Sequence, residues 1–570
     1  MRAYFGQLKA GDPEILSRYQ ELFSAPPMLV ALDTETVSLK NRQLLGFAIA
    51  LPNGDAWYFT PDEQGIPWHL IKPSQTRKVW HNAPFDLSRE LMGLYGADLD
   101  NIEDTAIITR LAGIDTQLSI ASFFTHTKTE DAGSLLARYN VTSMDKLPPE
   151  IVADKCMHDA LVTMELFLQY QDIVKSEYYQ IERRVASLLL HMSYRGLKID
   201  KPYATALAGE IGSSATFYTQ TCKNLGWNPN APQQVAYMLT TKNFVLPWPR
   251  GASQPKVDKH TLEEINHPWA KLTLLARKYS KLASVVRDWP NCDRVYSHFR
   301  MDAATGRITS SDIQLHNIAT GRRTGDIVPV TGPVRRAFDP DNGVFTIFDD
   351  SQIELRLLAY FSQDKNMLKS FATGDKLNDL YLKTGDTWYL SESKKYDIHG
   401  TTQRALGIPS RVMAKNFNFG DAYGGTPEVL SLYTGIKDLR LIAMYQAKMA
   451  EAYPERTAWI YRQRQLGIEQ GYVETLYGRR LSVTGYDTES LSDKHIGNCS
   501  VNYPIQGSAA ELFKRQLLKL LDTGIPLKDI ALQVHDEAVI DGQYELDREA
   551  LEYIGPLRTP VEIRQAKKWQ

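Results

Sequence analysis

The sequence predicts an α/β fold divided among several domains, and three observations carry that expectation. Short apolar runs of strand character open the chain at "MLVALDTETVSL", "LLGFAIAL" and "AWYFT". Apolar residues three and four apart take over from "DKCMHDALVTMELF", and strand signals return at "GVFTIFDD" and "IALQVHDEAVID". At 570 residues the chain has room for about three or four folding units.

In order, residues 1–185 read as a mixed α/β unit that ends in a long helical pattern, with Gly196 as its stop. Residues 186 to about 295 read as helices separated by the Pro- and Gly-rich loops "WNPNAPQQ" and "VLPWPRGASQP". Strands are expected at "VYSHFRM" and "GVFTIFDD", helices from about 366 to 471, and strands again at "GYVETLYGRRLSV" and "IALQVHDEAVID" around a helix at "PIQGSAAELFKRQLLKLLDTG". Hydrophobic content of 43% and charged content of 23% suit a globular chain, and no apolar stretch is long enough to span a bilayer. The start resembles no signal peptide, so a cytoplasmic protein is expected. Four cysteines stand far apart, without the close pairs of zinc sites, and read as reduced core residues. A net charge of -2 shows no basic domain, yet carboxylate clusters and separate basic strips would also balance near zero.

"FTIFDD" ends a strand on two acids. Alternation puts Phe345, Ile347 and Asp349 on one face and Thr346, Phe348 and Asp350 on the other, so the acids point apart. Taken alone, such acids are as readily solvated turn residues as metal ligands. A second pair, Asp536 and Glu537 after His535, stands at the tip of an expected hairpin. Acids on a hairpin facing an acid on another strand could hold two divalent cations. In "RVMAKNFNFGDAYGG", Arg411, Lys415, Phe419 and Tyr423 recur every four residues and form one helical stripe. Cations followed by aromatics suit a nucleoside triphosphate, although an amphipathic surface helix presents the same pattern.

"DDSQIELR", "RVMAKNFNFGDAYGG" and "VHDEAV", in this order, resemble motifs A, B and C of the family A DNA polymerases. "DAATGRITSSDIQLHNI", "DIHG", "EQGYVETLYGRRL" and "NYPIQGSAAE" extend the resemblance across roughly residues 190 to 570. It implies a right-hand polymerase domain over 186–570, with a thumb about 186–295, a palm about 296–365 and 472–570, and fingers about 366–471. It implies template-directed DNA synthesis on a primer with dNTPs, using two divalent metal ions, Mg²⁺ or Mn²⁺. Asp349 and Asp536 would bind the metals with Glu537 in support, and Asp350 would offer its backbone carbonyl where relatives carry an aromatic residue. Arg411, Lys415 and His399 would grip the triphosphate, and Lys415 could protonate the leaving group. Phe419 would lie at the sugar, Tyr423 near the templating base, and Glu354 would exclude a 2′-hydroxyl. Arg307, Asn502, Gln506 and His535 would touch the primer-template or the incoming nucleotide.

In the first unit, "VALDTETVSL" puts Asp33 and Glu35 on one strand face, and Asp86, Asp104 and Asp159 follow on separate elements. Four acids from such separate elements, out of these five, could bind two metals and direct hydroxide at a phosphodiester. They resemble the ribonuclease H-like DEDD 3′-5′ exonuclease domain that precedes family A polymerase domains, with Asp33, Glu35, Asp86 and Asp159 as ligands and Asp104 starting a helix. The usual tyrosine four residues before the last aspartate is Lys155 here, and the histidine of another branch is Asp154. Lys155 and Asp159 share a helix face and are expected to pair, and His158 reads as a surface residue.

Basic clusters at 277–281, 321–323, 335–336 and 477–480 are expected to follow phosphates. A phage-type monomeric replicase without a 5′ nuclease domain is the expectation. The alternatives are a polymerase with an inactive exonuclease domain and, more remotely, a non-catalytic nucleic-acid-binding protein. The stretch 383–396 is left without a role.

Overall fold

In the computed structural model, residues 3–4, 28–39, 41–60, 76–89, 91, 101–248, 252–265, 267–318, 329–484 and 492–569 are described. The basic cluster expected at 321–323 lies outside them.

The first unit is a six-stranded sheet in the order Ala3–Tyr4, Ala56–Phe59, Leu44–Ala50, Leu29–Thr36, Arg77–Trp80, Ile102–Asp104. Leu44–Ala50 runs antiparallel to both its neighbours, and the last three strands are parallel. Helix Pro149–Gln169 packs across this sheet, and its approach is close because Ala31, Ala48, Ala153, Cys156 and Ala160 meet there, all buried. The two short parallel strands at Arg77–Trp80 and Ile102–Asp104 escape a reading by alternation, since three or four residues show no period.

Helix Glu177–Arg195 begins on the Ser176 side chain and ends at Gly196, whose φ of 60° a residue without Cβ adopts freely. The boundary expected at 185 falls inside this helix. It is a shared strut: the Tyr179 hydroxyl donates to Glu103 of the first sheet at 2.7 Å, and Glu182 accepts from Lys514 of the last long helix. One hydrophobic core runs without a break from the first sheet to the second.

That second sheet is antiparallel throughout, in the order Ile530–Val534, Glu537–Asp541, Phe345–Asp350, Val561–Ala566. The strand Val561–Ala566 is absent from the sequence reading. Glu562 and Arg564 alternate with apolar residues on a sheet edge, so no apolar run marks it. Helix Asp493–Asp522 backs the sheet through Phe513, which packs on Phe348, and it starts well before Pro504, which it carries in its interior. Between the sheets, Lys201–Asn224 and Pro268–Val286 pair as two long helices. Seven helices from Lys365–Thr384 to Pro454–Gln470 surround a second core. The stretch 383–396 is the turn and helix Thr387–Tyr396 that folds back on Lys365–Thr384 and exposes Trp388. Cys156, Cys222 and Cys499 are buried, Cys292 is half-buried, and all four are free thiols, as expected.

Candidate active sites

The hairpin Ile530–Val534 to Glu537–Asp541 turns through His535 and Asp536, and His535 holds a φ of 57° to close so short a loop. The tip is locked to the neighbouring strand, because the Asp350 N–H donates to the Asp536 carbonyl at 3.0 Å. Asp349 stands opposite Glu537 in the ladder on one side and opposite Glu562 on the other. Burial, then the charges of Asp536 and Glu537, push the Asp349 carboxyl up to about 7. A carboxyl raised by neighbouring negative charges belongs to a donor set that a divalent cation relieves, so these residues fit a metal.

Glu537 is otherwise engaged. Its Oε1 accepts from Trp569 Nε1 at 2.8 Å and from Arg335 at 3.2 Å, and its Oε2 accepts from Arg564 at 2.8 Å. Asp349, Asp536 and Glu537 are not gathered into a trio of ligands as the first unit's acids are. Asp350 turns the other way: it is buried, and Gln516 Nε2 donates to its Oδ1 at 2.9 Å.

Gln352, at a φ of 59°, turns the strand into helix Ile353–Ser362 and places Glu354 in the first turn. There Glu354 is gripped from two sides: Arg307 pairs with Oε1 and the Tyr423 hydroxyl donates to Oε2. Gln506 also bonds the Tyr423 hydroxyl, and burial pushes that hydroxyl's pKa up to about 12. A cavity of about 290 Å³ opens here, lined in part by Arg307, Glu354, Phe419, Lys514, His535 and Asp536. Lys514 was missed in the sequence, although a lysine on the apolar face of "AAELFKRQLL" is an available signal.

Helix Arg411–Ala422 crosses above, capped by Ser410. Arg411 and Lys415 are exposed on it, Phe419 and Tyr423 half-buried. Arg411 is bound to Asp397, the residue whose side chain caps the helix that carries His399. His399 is buried against Phe419, 5.8 Å between rings, and Asn418 meets its Nδ1 at 3.0 Å. Burial, with Arg411 and Lys415 nearby, lowers it to about 4, so it is neutral at ordinary pH. Asn502 Oδ1 is buried without a partner. His535 is exposed and stacks on His316, 5.8 Å between rings.

The expectation that the basic clusters follow phosphates is corrected for three residues. Arg277 donates to the Pro229 and Val257 carbonyls, Arg335 is taken by Glu537, and Arg479 is buried on Glu511 and the Thr305 carbonyl. A guanidinium tied to carbonyls and carboxylates of the fold is turned away from a backbone phosphate and has fewer of its five N–H donors to offer one.

In the first unit the cleft beside the sheet is lined by Asp33, Glu35, Asp86, Lys155 and Asp159, among others. Asp33, Glu35 and Asp159 offer oxygens within 4.8 Å of one another, a fit for a metal ion and the one such group among the described residues. Asp86 accepts from the Thr34 hydroxyl, and burial pushes it up to about 7. Asp104 does what a helix start requires, accepting the N–H of Asn82, Ala83 and Ala106 at 2.8, 3.0 and 2.9 Å. Lys155 pairs with Asp159 as expected and also with Glu35. Burial opposes its charge, but Glu35 and Asp159 outweigh it and hold the ammonium well above its ordinary range. Asp154 is exposed and His158 half-buried.

Residues 203–555 match the family model described as DNA polymerase family A. The chain belongs to DNA polymerase family A. Residues 12–175 of this family A chain match the model for the 3′-5′ exonuclease. It is 30% identical over 438 residues to the thermostable DNA polymerase I of Thermus filiformis, 73% of this chain and 50% of that protein. It is 27% identical over 560 residues to DNA polymerase I of Chloroflexus aurantiacus, 90% of this chain and 57% of that protein. The chain thus spans about half the length of these curated relatives. A solved structure, the POL domain of Pol1 from M. smegmatis in complex with DNA primer-template and dNTP, superposes with a TM-score of 0.70 at 20% identity, covering 100% of this chain and 99% of that one, a likeness of fold. The relatives named here are bacterial, which gives the phage-type expectation no support. Among the described residues no helix is long and apolar enough to cross a membrane.

Proposed function

We propose that this family A chain extends a DNA primer along a template by adding dNTPs to the 3′-hydroxyl, and that its first unit removes nucleotides in the 3′-5′ direction. The observation that carries the first part is the strand pairing that sets Asp349 opposite Glu537, next to the hairpin acid Asp536, which lines a cavity together with Glu354 and Phe419. Asp349 and Asp536, with the Asp350 carbonyl, would hold divalent ions, Mg²⁺ first and Mn²⁺ as an alternative. When bound, such ions lower the pKa of an attacking hydroxyl and neutralise charge on a leaving pyrophosphate. We give Glu537 a positioning role, since Arg335, Arg564 and Trp569 take up its oxygens.

The chain's own side chains then align the reactants. Lys415 and Arg411 reach the triphosphate, Arg411 on leaving Asp397, and Lys415 is the proton donor to the leaving group. Neutral His399 offers a hydrogen bond rather than a charge. Phe419 lies at the sugar, Tyr423 at the templating side, and Arg307, Asn502, Gln506 and His535 contact the primer-template. In the first unit Asp33, Glu35, Asp86 and Asp159 are the metal-holding acids. The units meet at the shared helix Glu177–Arg195, with thumb, palm and fingers following over the ranges expected from sequence, and the chain works as a monomer in the cytoplasm.

Primer extension tests the main reading: wild type incorporates dNTPs, and Asp349→Ala loses roughly 10³-fold, several kcal/mol of charge stabilisation. Full activity in that variant sinks it. Digestion of a labelled single strand, lost in Asp33→Ala, tests the first unit. The second reading, a weak or inactive exonuclease, is favoured by Lys155 among the acids.

A further inference from the structure

We infer that the Lys155 ammonium stands in one of two cation positions among Asp33, Glu35, Asp86 and Asp159, so that this cleft takes a single divalent ion. The inference rests on the metal-binding reading of that cleft. Asp33, Glu35 and Asp159 bring oxygens within 4.8 Å of one another, the arrangement of ligands around one shared cation. Two of the three already share one: Lys155 Nζ lies 3.0 Å from Glu35 Oε1 and 2.5 Å from Asp159 Oδ2. The lysine rises one turn before Asp159 on helix Pro149–Gln169, which sets its stem along the same face. Its side chain is 12% exposed, so the ammonium is enclosed with its partners rather than lying at the rim.

Among the described residues, the side chains that donate hydrogen bonds to the remaining acids are neutral. Asp33 Oδ2 accepts from the Cys156 thiol at 3.4 Å, and Asp86 Oδ1 accepts from the Thr34 hydroxyl. Asp159 keeps its second oxygen on the Thr129 hydroxyl. Once all four carboxylates are ionised, one ammonium leaves three negative charges, and one divalent ion held among them reduces these to one. A second divalent ion meets a fixed positive charge at contact distance and must evict Lys155 from both its partners. The sequence thus supplies, as a covalent side chain, a cation that a two-ion site takes from solution.

The test counts ions in the full chain by the disappearance of the free Mn²⁺ EPR signal. The difference between wild type and Asp33→Ala counts the ions at this cleft and cancels those held elsewhere. The expected difference is one. Lys155→Gln, which drops the charge but can still hydrogen-bond both acids, is expected to raise the count to two, the added ion binding about 10-fold more tightly than any second ion in wild type. Two ions in wild type, or an unchanged count in Lys155→Gln, overturn the inference and leave the metal-binding reading standing. No ion in either protein overturns both. Should Lys155→Gln not fold, the wild-type count alone decides, one ion supporting the inference and two overturning it.

Discussion

Lys514 and Glu182 form a buried, two-pronged ion pair, Nζ at 2.6 and 2.7 Å from the two carboxylate oxygens, and the pair joins the helix beside the cavity of Arg307 and Glu354 to the helix shared with the first unit. Arg479 and Tyr178 extend the join through Glu511. Removing one partner strands a charge where water cannot reach it. Glu182→Ala is therefore expected to cost about 3–5 kcal/mol, whereas Glu182→Leu with Lys514→Met recovers most of that loss. Urea unfolding of the two variants checks this, and equal losses in both would contradict it.

Glu354 is held by Arg307 and Tyr423, so its position depends on residues from two distant segments. If it excludes a 2′-hydroxyl as the family resemblance implies, Glu354→Ala opens space and removes a clash. Selection for dNTP over rNTP should fall roughly 10- to 100-fold, the scale at which pocket size discriminates small groups. Competition assays with a matched dNTP and rNTP measure the ratio. Tyr423→Phe, which frees one carboxylate oxygen but keeps the bulk, should move it less.

His316 is buried under His535 and bonded to the Gln533 carbonyl at 2.7 Å, and burial lowers its pKa from 6.5 to about 4. The unfolded chain therefore binds a proton between about 6.5 and 4 that the folded chain refuses. The sign follows: this residue's contribution is complete above about 6.5 and is lost as pH falls toward 4. His316→Gln has no proton to refuse. Wild type minus His316→Gln stability should thus shrink between pH 7.5 and 4.5 by about 1–3 kcal/mol. A difference that does not change with pH would falsify this assignment.

Local rules made much of this molecule legible. Period-two alternation gave Phe345–Asp350 its two faces, and the charged tip between apolar runs marked the hairpin at Asp536. A four-residue spacing announced the Lys155–Asp159 pair. What sequence hid was long-range. The clamp on Glu537 draws on Arg335, Arg564 and Trp569, from segments that local spacing cannot relate. Strand Val561–Ala566 is half polar because it is an edge, and its place follows only from the strand beside it. Pro504 resembled a helix start because proline favours the first turn, yet here the helix tolerates it inside. Clusters such as "YGRR" misled because composition does not tell a phosphate contact from an arginine folded inward.

Asp350 raises the last prediction. Its side chain leaves the face that carries Asp349 and lies buried beneath the sheet, accepting from Gln516, which also donates to the Leu551 carbonyl. An amide oxygen accepts from Gln516 as a carboxyl oxygen does, so Asp350→Asn should change stability by less than about 1.5 kcal/mol, as shape-conserving core replacements do. Asp350→Tyr, by contrast, forces a ring into a filled space and should cost about 1–3 kcal/mol. Because the side chain points away from the acids at the hairpin, neither replacement should shift the Mg²⁺ optimum of primer extension. A shifted optimum in Asp350→Asn, with stability unchanged, would show that the second acid acts on the metal site through its charge after all.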